Sequence, residues 1–133
     1  MPAKKQWVYA PAKPKVSDNL KAEVQKKADQ LIESFLKANF IEPPPEDTQW
    51  NYIVDIYGKW YRGNFYFCSK YHCPGPYSVS EYFEAKFVRL QYVGNGKFNV
   101  AYMRHTEKWF EIFQDLTLDQ CLEAIRDIPT LHP

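Results

Sequence analysis

The hydrophobic pattern of this 133-residue chain changes its period once, across the proline run between Glu42 and Asp47. Before the run, apolar residues recur every three or four positions from Leu20 to Phe35, which is the period of one face of an α-helix. From Trp50 onward, apolar and polar residues alternate, which is the period of a half-buried strand. A helix followed by a sheet predicts an α+β fold.

Capping and proline positions set the boundaries of the N-terminal elements. Ser17 is a favourable N-cap for an amphipathic helix over residues 18–37. A stiff, proline-rich linker at residues 42–47 ends that helix. We expect residues 1–16 to form a flexible basic arm, followed by a single α+β domain over residues 17–133.

Tight turns are expected to fix the register of the sheet. Asn95-Gly96 and Gly63-Asn64 are typical of two-residue β-hairpins, and Thr106-Glu107 is the predicted turn of a third. A capping-box pattern at Thr117 and Gln120 predicts a short closing helix over residues 118–127. The antiparallel, meander-like sheet covers residues 50–113, with predicted strands at 50–62, 65–72, 84–93, 98–105 and 108–113.

Charge is distributed unevenly, although the net charge is only +1. The arm holds four lysines and no acidic residue, whereas residues 115–133 hold four acidic residues and one arginine. A basic arm could contact nucleic acid or an acidic partner, but a solvated tail is the simpler interpretation. The apolar group Trp7-Val8-Tyr9 within the arm is of a kind that often docks on the body or on a partner.

Composition argues against several classes of protein. No stretch approaches the roughly 18 apolar residues that suggest a membrane span, and the N-terminus lacks the apolar core of a secretory signal. Cys68, Cys73 and Cys121 are expected to be free, buried thiols in a cytoplasmic protein. We recognise no glycine-rich phosphate loop and no metal-ligand spacing, so no cofactor or metal is predicted.

Pairing the strands from the predicted turns separates the two faces of the sheet. In the expected register, Arg89 faces Tyr102 and Arg104 faces Trp109. The apolar face, which should receive the helices, carries Val88, Leu90, Ala101, Met103, Phe110 and Ile112. The other face is polar and aromatic, and its candidate binding residues are Lys59, Tyr61, Tyr66, Lys70, Arg89, Tyr102, Arg104 and Trp109, with His105 at the adjoining turn.

Three functions fit such a polar-aromatic face. Tyr, Trp and Arg are enriched at interface hot spots, so a non-catalytic module for protein binding or self-association is the first prediction. Stacking rings beside cations would also suit single-stranded nucleic acid. An enzyme or anion site is the third, with Arg89 and Arg104 clamping a phosphate or carboxylate and His105 carrying a proton. The sequence leaves these alternatives open.

Several short strings stand out between Asn51 and Asp127. They comprise Asp55 with Lys59-Trp60, Phe65-Tyr66-Phe67, FVRLQY from Phe87 to Tyr92, Phe98, YMRHT from Tyr102 to Thr106, Trp109, and LTLDQCLEAI from Leu116 to Ile125. In this combination the chain resembles a bacterial family of small uncharacterised proteins, a domain of unknown function. The resemblance implies no known activity, so it assigns no functional residue.

Overall fold

A five-stranded antiparallel sheet forms one layer of the domain, and two helices form the other. The computed structural model describes residues 14–46, 50–75 and 80–133. Neighbouring strands in the sheet are also neighbours in the chain, so the predicted α+β meander is confirmed. The strands are β1 (Tyr52–Tyr61), β2 (Asn64–His72), β3 (Tyr82–Gly94), β4 (Lys97–Met103) and β5 (Trp109–Thr117).

The N-terminal helix, α1, extends beyond the predicted range of 18–37. It is α-helical over Asp18–Leu31, π-helical over Ile32–Leu36 and α-helical again over Lys37–Phe40. Ser17 caps it as predicted, since its side-chain oxygen accepts a hydrogen bond from the backbone N–H of Leu20 at 3.1 Å. No helix in the described part of the chain is long and apolar enough to cross a membrane.

The π-helical segment keeps one side of α1 against the sheet. A strict spacing of four residues drifts around an α-helix, because one turn takes 3.6 residues. The wider π turn compensates for that drift near the end of α1. It returns Leu36 to the face that contacts the core. The buried side chains of α1 are accordingly four residues apart throughout, at Val24, Ala28, Ile32 and Leu36.

The closing helix, α2, spans Leu118–Asp127, as the sequence predicts. Its capping box is complete. The Thr117 hydroxyl accepts from the backbone N–H of Gln120 at 3.2 Å, and the Gln120 side-chain oxygen accepts from the backbone N–H of Thr117 at 2.9 Å. α2 packs on β4 and β5 and also touches α1. Both helices therefore cover the same face of the sheet, which we call the inner face.

Two predicted segments fall partly outside the described residues. Of the expected basic arm, residues 1–13 lie outside, while Val16 is buried against the body. Of the linker predicted at 42–47, residues 42–46 are exposed and Asp47 lies outside the described part.

The first hairpin turns one residue earlier than predicted. Arg62 and Gly63 occupy the turn, with positive φ angles of 50° and 83°, which is the pattern of a type I′ hairpin. Tyr61 therefore pairs with Asn64. Moving a two-residue turn by one position changes each pairing by two residues. Because side chains alternate with period two, the faces predicted between Ile56 and Tyr71 are unchanged. A bulge at Val54 alters the start of β1, where Ile53 rather than Val54 packs against the core.

The Asn95-Gly96 turn is confirmed, but a bulge beside it changes the register of β3 and β4. The pairing shifts by one residue between Tyr92 and Gly94, which leaves Val93 as the extra residue. Gly94 accommodates this shift with a φ of 97°, a conformation that other residues adopt only with strain. Every pair beyond the bulge therefore differs by one residue from the predicted register.

The third hairpin is wider than the predicted two-residue turn at Thr106-Glu107. The backbone N–H of Glu107 donates to the Arg104 carbonyl at 2.8 Å, and the N–H of Arg104 donates to the Lys108 carbonyl at 2.9 Å. Glu107 has a φ of 62°, typical of the left-handed residue in a three-residue hairpin loop. As a result Met103, rather than Arg104, pairs with Trp109.

These shifts exchange the two faces of β4 while β3 and β5 keep theirs. Arg89 pairs with Ala101, whereas Tyr102 pairs with Val88 and packs against the core. Arg89 and Tyr102 thus lie on opposite faces, so their predicted pairing was wrong. Met103, predicted on the inner face, lies on the opposite face, where it pairs with Trp109.

Candidate functional site: the open face of the sheet

The face of the sheet opposite α1 and α2, which we call the open face, is uncovered by any other described element. Antiparallel pairing places Lys59, Tyr66 and Arg89 in one row across β1, β2 and β3. Paired residues share a face, so these three side chains project together. We define the open-face cluster as Lys59, Tyr61, Tyr66, Lys86, Arg89 and Trp109.

Rings and cations alternate through the cluster. The Lys86 ammonium lies 5.6 Å from the ring centre of Tyr61 and 5.4 Å from that of Tyr66. The rings of Tyr66 and Trp109 are 5.7 Å apart, and the Arg89 guanidinium lies 5.1 Å from the Trp109 ring. These are distances at which a cation is attracted to a ring face. The cluster is therefore one continuous surface that runs from β1 to β5.

A small residue lets this surface close over β4. Ala101 stands between Arg89 on β3 and Glu111 on β5 and is only 1% exposed, although it lies on the open face. Its short side chain leaves room for the rings of Tyr66 and Trp109 to meet from strands that are not neighbours.

A bulge in β3 brings Lys86 and Arg89 to the same face. Residues three apart in a regular strand point to opposite faces. Here the β2–β3 register shifts between Phe67 and Cys68, which leaves Phe87 as the extra residue. Phe87 turns into the core together with Val88. The sequence analysis missed Lys86 for this reason, and no glycine or proline marks the bulge.

Lys59 is held by an ion pair at the edge of the cluster. Its ammonium lies 2.6 Å from a carboxylate oxygen of Glu84. Hydrogen bonding to Glu84 raises the pKa of Lys59. Burial by itself would raise the pKa of Glu84, but hydrogen bonds from Lys59 and Cys68 outweigh it and the pKa falls. Both groups are therefore charged at neutral pH and neutralise each other.

Arg89 and Lys86 have no such partner. Among the described residues, no carboxylate forms an ion pair with either of them. The Nε atom of Arg89 is buried and has no hydrogen-bond acceptor within the described part of the chain. A buried donor without an acceptor costs free energy. The open-face cluster thus carries two cations that form no ion pair within the described residues, although the charge of Glu84 also attracts Lys86.

The predicted binding residues divide between the two sides of the sheet. Arg104 and His105 are exposed in the β4–β5 turn, and the Arg104 guanidinium lies 5.4 Å from the ring of Phe110, a residue that pairs with Tyr102. Arg89 and Arg104 therefore do not form the predicted anion clamp. The predicted residues that do lie on the open face are Lys59, Tyr61, Tyr66, Lys70, Arg89 and Trp109.

The cysteines differ in exposure. Cys68 and Cys121 are fully buried free thiols, as predicted, while Cys73 is half-buried. Burial raises the pKa of Cys68 to about 12, with a further contribution from Glu84. Burial also raises the pKa of Cys121 to about 12. Within the described ranges, no three His, Cys, Asp or Glu side chains group closely enough to hold a metal ion.

Alkylation should distinguish these thiols. The thiolate is the reactive form, so Cys68 and Cys121 should react with iodoacetamide at pH 8 at least ~100-fold more slowly than Cys73 in the folded protein. In denaturant all three should react at similar rates. Peptide mass spectrometry after timed labelling gives the rates. Native-state labelling of Cys68 as fast as that of Cys73 would contradict the complete burial of Cys68.

Comparison with known protein families gives a match over almost the whole chain. A family model described as a domain of unknown function (DUF3024) matches residues 4–131. No curated protein and no solved structure was found to match.

Proposed function

This chain belongs to the DUF3024 family, a domain of unknown function, and we propose that it is a non-catalytic module that binds another protein through the open face of its sheet. A second copy of the chain is one such partner. The observation that supports the proposal best is the continuity of the open-face cluster, in which Tyr, Trp and Arg side chains contact one another on an uncovered face.

The composition of the cluster suits a protein interface. Tyr, Trp and Arg are the residue types that most often carry binding energy at interfaces, near the centre of the contact. Contacts between the rings of Tyr66 and Trp109 hold both side chains in place before binding. Less conformational entropy is then lost when a partner arrives.

The charge of the cluster favours a partner that presents carboxylates. Lys86 and Arg89 form no ion pair in the described residues, whereas Lys59 forms one with Glu84. A carboxylate from a partner could accept hydrogen bonds from the terminal nitrogens of the Arg89 guanidinium. Opposite charges across an interface also speed association and exclude like-charged partners.

Single-stranded nucleic acid is the second candidate, because cations and rings alternate along the same face. Stacking on a base needs a free ring face. The rings of Tyr66 and Trp109 are each already in contact with another ring and with a cation. This arrangement favours a protein partner over stacked bases.

We further propose that the protein acts in the cytoplasm. The three cysteines are free thiols and two are fully buried, which suits a reducing compartment.

Affinity capture from the native cell tests the proposal. Wild type, Trp109→Ala and Trp50→Ala are compared, each with and without nuclease treatment, and the purified proteins are also sized by light scattering. Trp50 is a matched control because it is 69% exposed and lies outside the cluster. We expect a partner, or a dimer of this chain, that survives nuclease and is lost with Trp109→Ala only.

Two results would go against protein binding. Loss of the captured material after nuclease treatment, with affinity that falls steeply as salt rises, would favour the nucleic-acid alternative. If Trp109→Ala and Trp50→Ala captured the same amount of partner, the open-face cluster would not be the contact surface.

A further inference from the structure

A groove lies on the far side of the domain from the open-face cluster, between β5 and α2. It has a volume of about 370 Å³. Its apolar lining consists of Phe113 and Leu116 from β5 and Ala124 and Ile128 from the α2 side. All four pack against the core and are only half-buried, so the groove leaves apolar surface uncovered. We propose that the chain's own N-terminal arm docks in this groove.

The rim of the groove is acidic. Glu123 and Asp127 line it together with Gln120. In the described part of the chain, Glu123 forms no ion pair, and Asp127 pairs only with its neighbour Arg126. Asp119 is not available in the same way, since it lies 3.0 Å from the ammonium of Lys27. The groove thus offers an apolar floor beside two carboxylates, with Arg126 as the one cation paired to them in the described residues.

The arm has the complementary composition. Residues 1–13 contain Trp7, Val8 and Tyr9 as an apolar group, with Lys4, Lys5 and Lys13 around it and no acidic residue. Burying an aromatic side chain against half-buried apolar residues gains free energy roughly in proportion to the area covered. The lysines would meet the carboxylates of the rim. The apolar group of the arm therefore matches the apolar floor, and its lysines match the acidic rim.

The arm joins the described part of the domain at Pro14, and from there residues 1–13 are long enough to reach the groove. Pro14 lies against Gly94, whose added Cβ would stand 3.7 Å from the Pro14 ring. Gly94 pairs with Lys97, and Lys97 pairs with Thr117, where α2 begins. Two strand spacings separate these points by roughly 10 Å. Thirteen extended residues span about 43 Å, so the arm can cross to α2 and follow it.

The edge of the sheet at the groove is also unoccupied. β5 pairs only with β4 among the described strands, so the backbone groups on its other side are open to an added segment. The family model begins at residue 4 and so includes the apolar group of the arm. Both observations fit an arm that completes the domain. The inference does not depend on the proposed function of the open face.

Fluorine NMR of the intact chain tests the docking. The four tryptophans are labelled as 5-fluorotryptophan, and the Trp7 resonance is assigned from a Trp7→Phe variant. In the wild type we expect this resonance to be displaced from its position in the denatured chain. Ala124→Glu, which places a charge on the apolar floor, should remove at least half of the displacement.

Controls separate docking from general destabilisation. Ala22→Glu makes the same change at an exposed position of α1 and should leave the Trp7 resonance unchanged. Glu123→Lys reverses the rim charge at an exposed site that folding does not need, and it should also reduce the displacement.

Three outcomes would overturn the proposal. The Trp7 resonance could sit at its denatured position in the wild type, or it could respond equally to Ala124→Glu and Ala22→Glu. The third outcome is a displacement that disappears on tenfold dilution, because the occupant of the groove would then be the arm of a second copy.

Discussion

Replacing Phe65 by alanine is expected to lower the free energy of unfolding by about 3–5 kcal/mol. Phe65 is fully buried at the centre of the inner face. Its ring contacts those of Trp60 and Phe67 at 5.3 and 5.4 Å between ring centres. It also covers Gly58, where even a methyl group would come within 2.4 Å of the ring. The neighbours are fixed by strands on both sides, so they cannot collapse into the cavity.

Urea unfolding followed by circular dichroism measures this loss. Phe110→Ala is the matched control, since Phe110 is also a phenylalanine on a strand but is 45% exposed. Its removal should cost less than about 1 kcal/mol. If the two variants lost similar stability, the assignment of Phe65 to the centre of the core would be incorrect.

Local chemistry was enough to predict most elements of the fold. The caps at Ser17 and Thr117 and the turn at Asn95-Gly96 each depend on residues a few positions apart, and all three are present. The error in the first turn left the faces predicted between Ile56 and Tyr71 unchanged, because a one-residue move of a hairpin turn preserves alternation. Helix length was underestimated, since the π turn in α1 has no clear sequence signal.

The candidate site was harder to predict, because β-bulges decide which residues share a face. The extra residue at Val93 moved Tyr102 to the inner face, and the extra residue at Phe87 brought Lys86 beside Arg89. A bulge depends on pairing with another strand and leaves at most a weak local mark. Gly94 is such a mark, whereas nothing in the sequence distinguishes Phe87 from an ordinary strand residue.

Two arginines that the sequence placed together now serve as a matched pair. Arg89 lies on the open face against Trp109, and Arg104 lies in the β4–β5 turn against Phe110. Both are arginines in contact with one aromatic ring, but Arg89 is half-buried and Arg104 is exposed. The fold of each variant is therefore checked by circular dichroism before binding is compared. Only Arg89 belongs to the open-face cluster. A difference between them in binding therefore reports on the face and not on charge in general.

The affinity of Arg89→Ala and Arg104→Ala for the captured partner, or for a second copy if the chain self-associates, tests most directly whether the open face is the contact surface. Arg89→Ala should weaken binding by at least about 2 kcal/mol, roughly 30-fold, because a central arginine at an interface often contributes that much. Arg104→Ala should change it by less than about threefold. Full affinity in Arg89→Ala together with a large loss in Arg104→Ala would place the interaction elsewhere on the domain.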